Sequence, residues 1–123
     1  MIKEEITEKI IAAAIEVHRE LGPGLLESVY EECLCRELDV KSIGFERQKE
    51  LPIRYKGNEI GGHYRIDLLV DNSVIVELKS IETILRVHEA QVLTYMRMSG
   101  IGIGLLLNFN VDILRNGIKR FVL

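Results

Sequence analysis

A chain of 123 residues that is 47% hydrophobic and 28% charged is long enough for one domain with a filled core and too short for two. No apolar run reaches the roughly 18 residues of a membrane span, and the opening MIKEEITEK is too acidic for a secretory signal, so a cytoplasmic protein without a membrane partner is expected. The net charge of −3 excludes the global basic footprint of a non-specific nucleic-acid binder and leaves any such contact to a local patch or a partner chain.

From Ile2 to about Leu21, the apolar residues Ile6, Ile10, Ala13, Ala14 and Val17 recur every three or four positions, which predicts an amphipathic helix. Gly22-Pro23-Gly24 ends it, because glycine takes the turned C-terminal position and proline cannot extend the hydrogen-bond ladder. A second helix is predicted from about Leu25 to Leu38, with Leu26, Val29, Tyr30, Cys33, Leu34 and Leu38 inward. Glu27 stands at its N-terminus, where the helix dipole stabilises a negative charge, and that alone would account for it. Tyr30 reads as a packing residue whose hydroxyl meets an acid. Cys33 and Cys35, one residue apart on a helix, point to different sides and are expected as reduced thiols, one of them packed.

Phe45 to Tyr55 alternates loosely around Pro52, as an edge strand does. Gly57-Asn58 supplies a turn into the next strand, and Gly61-Gly62 marks a bend or close backbone approach before Tyr64. Two apolar runs follow, Arg65 to Val70 and Val74 to Ser80, around the turn residues Asp71-Asn72-Ser73, which together predict a β-hairpin. Alternation places Ile75, Glu77 and Lys79 on one face of the second arm and Val74, Val76 and Leu78 on the other. Asp67, between Ile66 and Leu68, lies in a segment too apolar for a solvated loop. Burying an ionised carboxylate costs several kcal/mol unless a cation or hydrogen-bond donors offset it, and a divalent metal would do so for Asp67 and Glu77 together. An isolated Glu-x-Lys on a strand is more often a solvated ion pair; the setting VIVELKS is what separates this one from that reading.

After Ser80 the period changes to a helix carrying Ile84, Leu85, Val87, His88, Gln91, Val92, Tyr95 and Met98, ending at Ser99-Gly100, with His88, Gln91 and Tyr95 along one face. Ile101 to Phe109, IGIGLLLNF, predicts a buried strand whose glycines let a helix approach closely. Ile113 to Leu123 predicts a last strand through a turn at Asn116-Gly117. The order is helix, helix, three strands, helix, two strands, with no repeat or linker.

That order, with Asp67 on the second strand and Glu77-Leu78-Lys79 on the third, resembles the PD-(D/E)XK nuclease superfamily. Gly24-x-x-Glu27-x-x-Tyr30 is similar to the motif of its small GxxExxY subgroup, and Gln91-x-x-x-Tyr95 looks like the QxxxY motif of its RecB-like exonucleases. Ile66 stands where the superfamily's name has proline. The resemblance implies an α/β, restriction-endonuclease-like αβββαβ core in one domain over residues 1–123, a mixed central sheet flanked by helices, with an extra N-terminal helix and C-terminal strand. It also implies a metal-dependent nuclease acting on DNA or RNA. Mg2+ or Mn2+ would be held by Asp67, Glu77, the backbone carbonyl of Leu78 and Glu27, and Lys79 would point at the attacking water or the phosphate. Gln91 and Tyr95 would fix these groups, His88 would meet substrate, Arg65, Arg86 and Arg97 would hold phosphates, and Gly24 and Tyr30 would be structural. The competing expectation is a catalytically silent binding module, paired as a homodimer or joined to a larger assembly. The acidic net charge and the lack of a DNA-reading appendage favour it.

Overall fold

The computed structural model describes residues 2–123, leaving Met1 outside the description. Its frame is a five-stranded sheet in sequence order, β1 (Phe45–Tyr55), β2 (Asn58–Val70), β3 (Val74–Lys79), β4 (Ile103–Asn108) and β5 (Ile118–Val122). All neighbours are antiparallel except β3 and β4, whose parallel pairing needs the crossover helix α3 (Arg86–Ser99). The sheet is therefore mixed. Helices α1 (Lys3–Leu21) and α2 (Glu27–Val40) cover one face through Ile6, Ile10, Val17 and Leu34 packed on Val74, Val76, Leu78 and Leu105. Helix α3 covers the other through Val92, Tyr95 and Met96 packed on Leu51, Ile75 and Leu106. The alternation read along β3 matches this division, with Val74, Val76 and Leu78 under α1 and α2, and Ile75 under α3.

The close approach read into IGIGLLLNF is borne out at Gly104. A Cβ there would lie 2.7 Å from both Met96 Sδ and Val92 Cγ1, so α3 reaches the sheet only because that atom is missing. Cys33 and Cys35 are free, and Cys35 is the packed one. Among the described residues no helix is long and apolar enough to cross a membrane.

Three local expectations are corrected and one is borne out. Helix α2 starts at Glu27 and α3 at Arg86, because Leu26 and Leu85 keep extended backbone. The turn after β1 is Lys56-Gly57, both at positive φ, so Asn58 already pairs with Tyr55. The bend read at Gly61-Gly62 is borne out: β2 runs through it, with Ile53 alone facing residues 60–62 between the Pro52↔His63 and Arg54↔Glu59 pairs. The stretch from Ile113 is not strand at its start but a 3-10 turn, Leu114–Gly117, which sends Leu114 into the core before β5 joins β4 at Leu107↔Ile118.

Candidate functional site

Pairing between β2 and β3 ends at Leu68↔Val76. Where the next rung would be, the backbone N–H of Asp67 donates to Glu77 Oε2 at 2.7 Å, and the N–H of Leu78 donates to Asp67 Oδ2 at 2.9 Å. Each carboxylate thus satisfies a donor that the parting strands leave free, which removes part of the cost of burying it. A residue's N–H and C=O leave a strand on the same side, so the Leu78 carbonyl faces this gap as well. Glu77 is only 5% exposed. Burial first, and repulsion from Asp67 second, push its carboxyl up to about 8, while the Asp67 N–H and the Lys79 ammonium pull the other way. Burial also raises Asp67, with Glu31 adding repulsion against the opposing pull of the Leu78 N–H, Gln48 and Lys79.

The strands part because the regular pleat fails at Asp67. Ile66 and Leu69, three positions apart, both reach the cluster under α3, and Leu68 packs on the opposite side. Asp67 lines a cleft of about 460 Å³ with Glu27, Ser28 and Glu31 of α2, Gln48 of β1 and Leu78. Across from it, Gln48 has a φ of 49°, unusual for a residue with a side chain and especially so within a strand. The consequence is visible in its neighbour. Consecutive strand residues point to opposite faces, yet Arg47 Nη2 and Gln48 Nε2 both donate to the Glu31 carboxylate, at 3.1 and 2.7 Å. The Gln48 amide also donates to Asp67 Oδ1 at 3.4 Å, so one side chain spans the acid of α2 and the acid of β2.

Glu27 arrives by a different route. The Tyr30 ring is fully buried and stacked on Phe109 at 4.4 Å between centroids, and its hydroxyl donates to the Gly22 carbonyl at 2.5 Å while accepting from the Leu25 N–H at 3.1 Å. The hydroxyl therefore meets backbone, not an acid as the sequence suggested. It pins the loop in which Gly24 takes a φ of 94°, a conformation that suits glycine. Ser80 completes the link, donating from Oγ to the Leu25 carbonyl at 2.6 Å and from its N–H to Glu27 Oε2 at 3.2 Å. The first turn of α2 is thereby tied to the end of β3.

The remaining expected site residues divide. Lys79 is half-buried at the end of β3, and its charge acts on both Asp67 and Glu77. Tyr95 is nearly buried against Tyr64, ring centroids 5.6 Å apart, and its phenol is held above its usual range by burial and then by the charges of Glu77 and Asp67. Gln91 is exposed one helical turn earlier. His88 accepts the Leu85 N–H on Nδ1 at 2.9 Å and so closes the start of α3. Arg86 and Arg97 stand at opposite ends of α3, roughly 16 Å apart along its axis, and do not converge on one point. Arg65 is exposed and 3.5 Å from Glu50. The fold thus gathers Glu27, Asp67, Glu77, Leu78, Lys79 and Tyr95, and leaves Arg86 and Arg97 spread along α3.

The donor set fits a hard divalent cation. It offers carboxylate and carbonyl oxygens, and buried Glu77 and half-buried Asp67 are faced by a further acid, Glu31, with Lys79 as the cation acting on both. Among the described residues no three acidic, histidine or cysteine side chains converge as a ready cage. Magnesium needs none, since it keeps several waters and takes one or two carboxylates together with substrate phosphate. Glu31 and Gln48 are the site residues that the sequence did not reveal. Glu31 lies one helical turn after Glu27, a signal that was available; nothing local marks the reversed backbone of Gln48. A larger cleft, about 540 Å³, opens between α1 and the 3-10 turn, but its buried His18 is already bonded to the Val111 carbonyl at 2.7 Å.

A mixed sheet with helices on both faces, and an acid pair where its second and third strands separate, defines an α/β fold of the restriction-endonuclease type. The family model described as the PD-(D/E)XK nuclease superfamily matches residues 4–121, and the chain belongs to that superfamily. Its members generally use divalent metals, and membership implies nucleic acid as the partner. No curated protein and no solved structure matches the chain.

Proposed function

We propose that the protein is a Mg2+- or Mn2+-dependent nuclease of the GxxExxY subgroup, hydrolysing phosphodiester bonds of DNA or RNA within one domain. The observation that carries this reading is the pair of bonds at the open fork: buried Glu77 accepts from the Asp67 N–H and half-buried Asp67 accepts from the Leu78 N–H, with further acids facing them. Asp67, Glu77 and the Leu78 carbonyl would hold the ion, with Glu27 reaching it through water. When bound, the ion supplies concentrated positive charge and a water of lowered pKa. Lys79 orients that water or neutralises charge gathering on the phosphate oxygens as the bond to the leaving oxygen breaks. Tyr95, beside both acids, and Gln91 on the same helix hold the phosphate or the water by hydrogen bonds. Arg65 and His88 border the substrate path.

Cleavage of labelled duplex DNA, single-stranded DNA and RNA in Mg2+ and in Mn2+, compared with Asp67→Asn and Lys79→Ala, tests the reading. Metal-dependent cleavage lost in both variants supports it. Equal traces for wild type and variants would overturn it in favour of a silent binding module, the reading that the net charge of −3 favours.

A further inference from the structure

The sequence suggested no appendage for reading nucleic acid, but the fold carries a projecting two-stranded ribbon. Beyond Leu68↔Val76, β2 has no partner except β1, and the two continue as a ribbon to the Lys56-Gly57 turn. Residues 52–65 are exposed throughout, with Ile53 alone partly covered. An isolated two-stranded hairpin is marginal in water, so a bare ribbon of this length gains little for the fold by itself. At about 3.3 Å per residue, it reaches roughly 30 Å from Asp67.

Its charge runs against the rest of the chain. Residues 49–65 hold Lys49, Arg54, Lys56 and Arg65 against Glu50 and Glu59, a surplus of two cations in a protein of net charge −3. The ladder also orders them. Glu50↔Arg65 and Pro52↔His63 keep the two-residue period outward from Asp67, which puts Arg65 and His63 on the strand face that Asp67 presents to the acid cleft. Both lean on Glu50, at 3.5 and 3.4 Å, in exposed pairs that salt and a phosphate can readily exchange. A phosphodiester chain crossing Asp67 would thus pass over Arg65 and His63 before it met Arg54 and Lys56 near the tip.

We propose that the β1–β2 ribbon is a grip for duplex DNA that lies in the major groove and delivers one strand to the Asp67–Glu77 fork. This rests on the hydrolase reading of that fork. A two-stranded ribbon fits the major groove of B-form DNA, whereas the deep, narrow major groove of A-form RNA does not admit one. Half-exposed Ile60 offers apolar contact to thymine methyl groups. A single strand would need free aromatic faces on which to stack bases. The ribbon offers at most one, the exposed Tyr55, which has the Lys56 ammonium over one face, 5.5 Å from its centroid, while Tyr64 packs on Tyr95.

The test is fluorescence anisotropy of the full chain with a labelled DNA duplex, one strand of that duplex, and an RNA duplex of the same sequence, in Ca2+ over a series of NaCl concentrations. The expected result is tightest binding to the DNA duplex. The double variant Arg54→Glu/Lys56→Glu, with an unchanged melting temperature, should bind the DNA duplex at least about tenfold more weakly, with a salt slope shallower by roughly two. A second variant with residues 53–62 replaced by Asn-Gly should lose the preference for DNA duplex. No binding by wild type, equal or tighter binding of single-stranded DNA or RNA duplex, or undiminished affinity in folded variants would each overturn the proposal. Manganese-dependent hydrolysis of bis(p-nitrophenyl) phosphate by wild type and Asp67→Asn examines the fork separately. Duplex binding through the ribbon alongside identical hydrolysis in those two proteins would sink the nuclease reading and leave the grip standing.

Discussion

Glu77 holds Asp67 across the fork between β2 and β3, its carboxylate accepting the Asp67 N–H, while the Asp67 carboxylate accepts the N–H of Leu78. The bonds fix the two carboxylates side by side although like charge and burial oppose it. Glu77→Gln keeps an oxygen for the Asp67 N–H and removes the charge. It is expected to abolish metal-dependent cleavage and to raise the melting temperature of the metal-free protein at pH 8. A variant that melts lower than wild type there would show that the ionised form is not the costly one.

The pH dependence of that cost has a definite sign. Glu77 is raised from 4.5 to about 8, so between those values the folded chain keeps a proton that the unfolded chain has lost. Its stabilising contribution is complete below pH 4.5 and declines as pH rises through 8, by up to about 1.4 kcal/mol per pH unit. Asp67, also raised and adjacent, shares the titration, with Glu31 and Lys79 as the other charges facing the pair. Urea unfolding of metal-free protein from pH 5 to pH 8 should show this decline in wild type and a flatter profile in Glu77→Gln. Parallel profiles would contradict it.

Lys79→Ala should leave the melting temperature nearly unchanged, since the side chain is half-buried at a strand end. Cleavage should fall by about 10² to 10³, the usual size of one lost transition-state donor. A loss confined to KM, with kcat intact, would make Lys79 a substrate-binding group only.

Gln48 separates stability from activity. Gln48→Gly relieves a left-handed backbone costing on the order of 1 kcal/mol, but removes the donor shared by Glu31 and Asp67. The variant should therefore melt near wild type and bind Mn2+ more weakly, as titration calorimetry would register. Unaltered affinity would reduce Gln48 to a local fastening between β1 and α2.

Tyr30→Phe keeps the stacking on Phe109 and deletes two hydrogen bonds to the Gly22–Leu25 loop. A cost of about 1 kcal/mol is expected, because the part-buried bonds to the Gly22 carbonyl and the Leu25 N–H are lost. Cleavage should fall as well, since that loop positions Glu27. Full activity in a destabilised Tyr30→Phe would separate the loop from the site.

Much of this site was legible because its elements obey simple periods. The Asp71-Asn72-Ser73 turn, the apolar setting of VIVELKS and the glycines of β4 each have one dominant physical reading, and the hairpin, the buried acid and the close helix follow from them. What escaped was what breaks a period. Gln48 reverses its backbone in mid-strand, and Asp67 turns toward α2 out of alternation with Ile66 and Leu69; neither departure is written in its neighbours' composition. The ribbon escaped because Gly61-Gly62 reads as a bend and the strand of Asp67 as beginning at Arg65, although the chain passes through the glycines as strand. The Tyr30 hydroxyl was read as meeting an acid, whereas two backbone groups of a glycine loop hold it.

The acids and the lysine of the fork all lie between Glu27 and Lys79, but the strand bearing Glu77 is held in place by parallel rungs from Val74↔Ile103 to Lys79↔Asn108. During synthesis, a chain emerging from the ribosome carries every one of these groups before it owns the strand that spaces them. The site is therefore complete only once β4 lies beside β3, after all of its charged groups have been made.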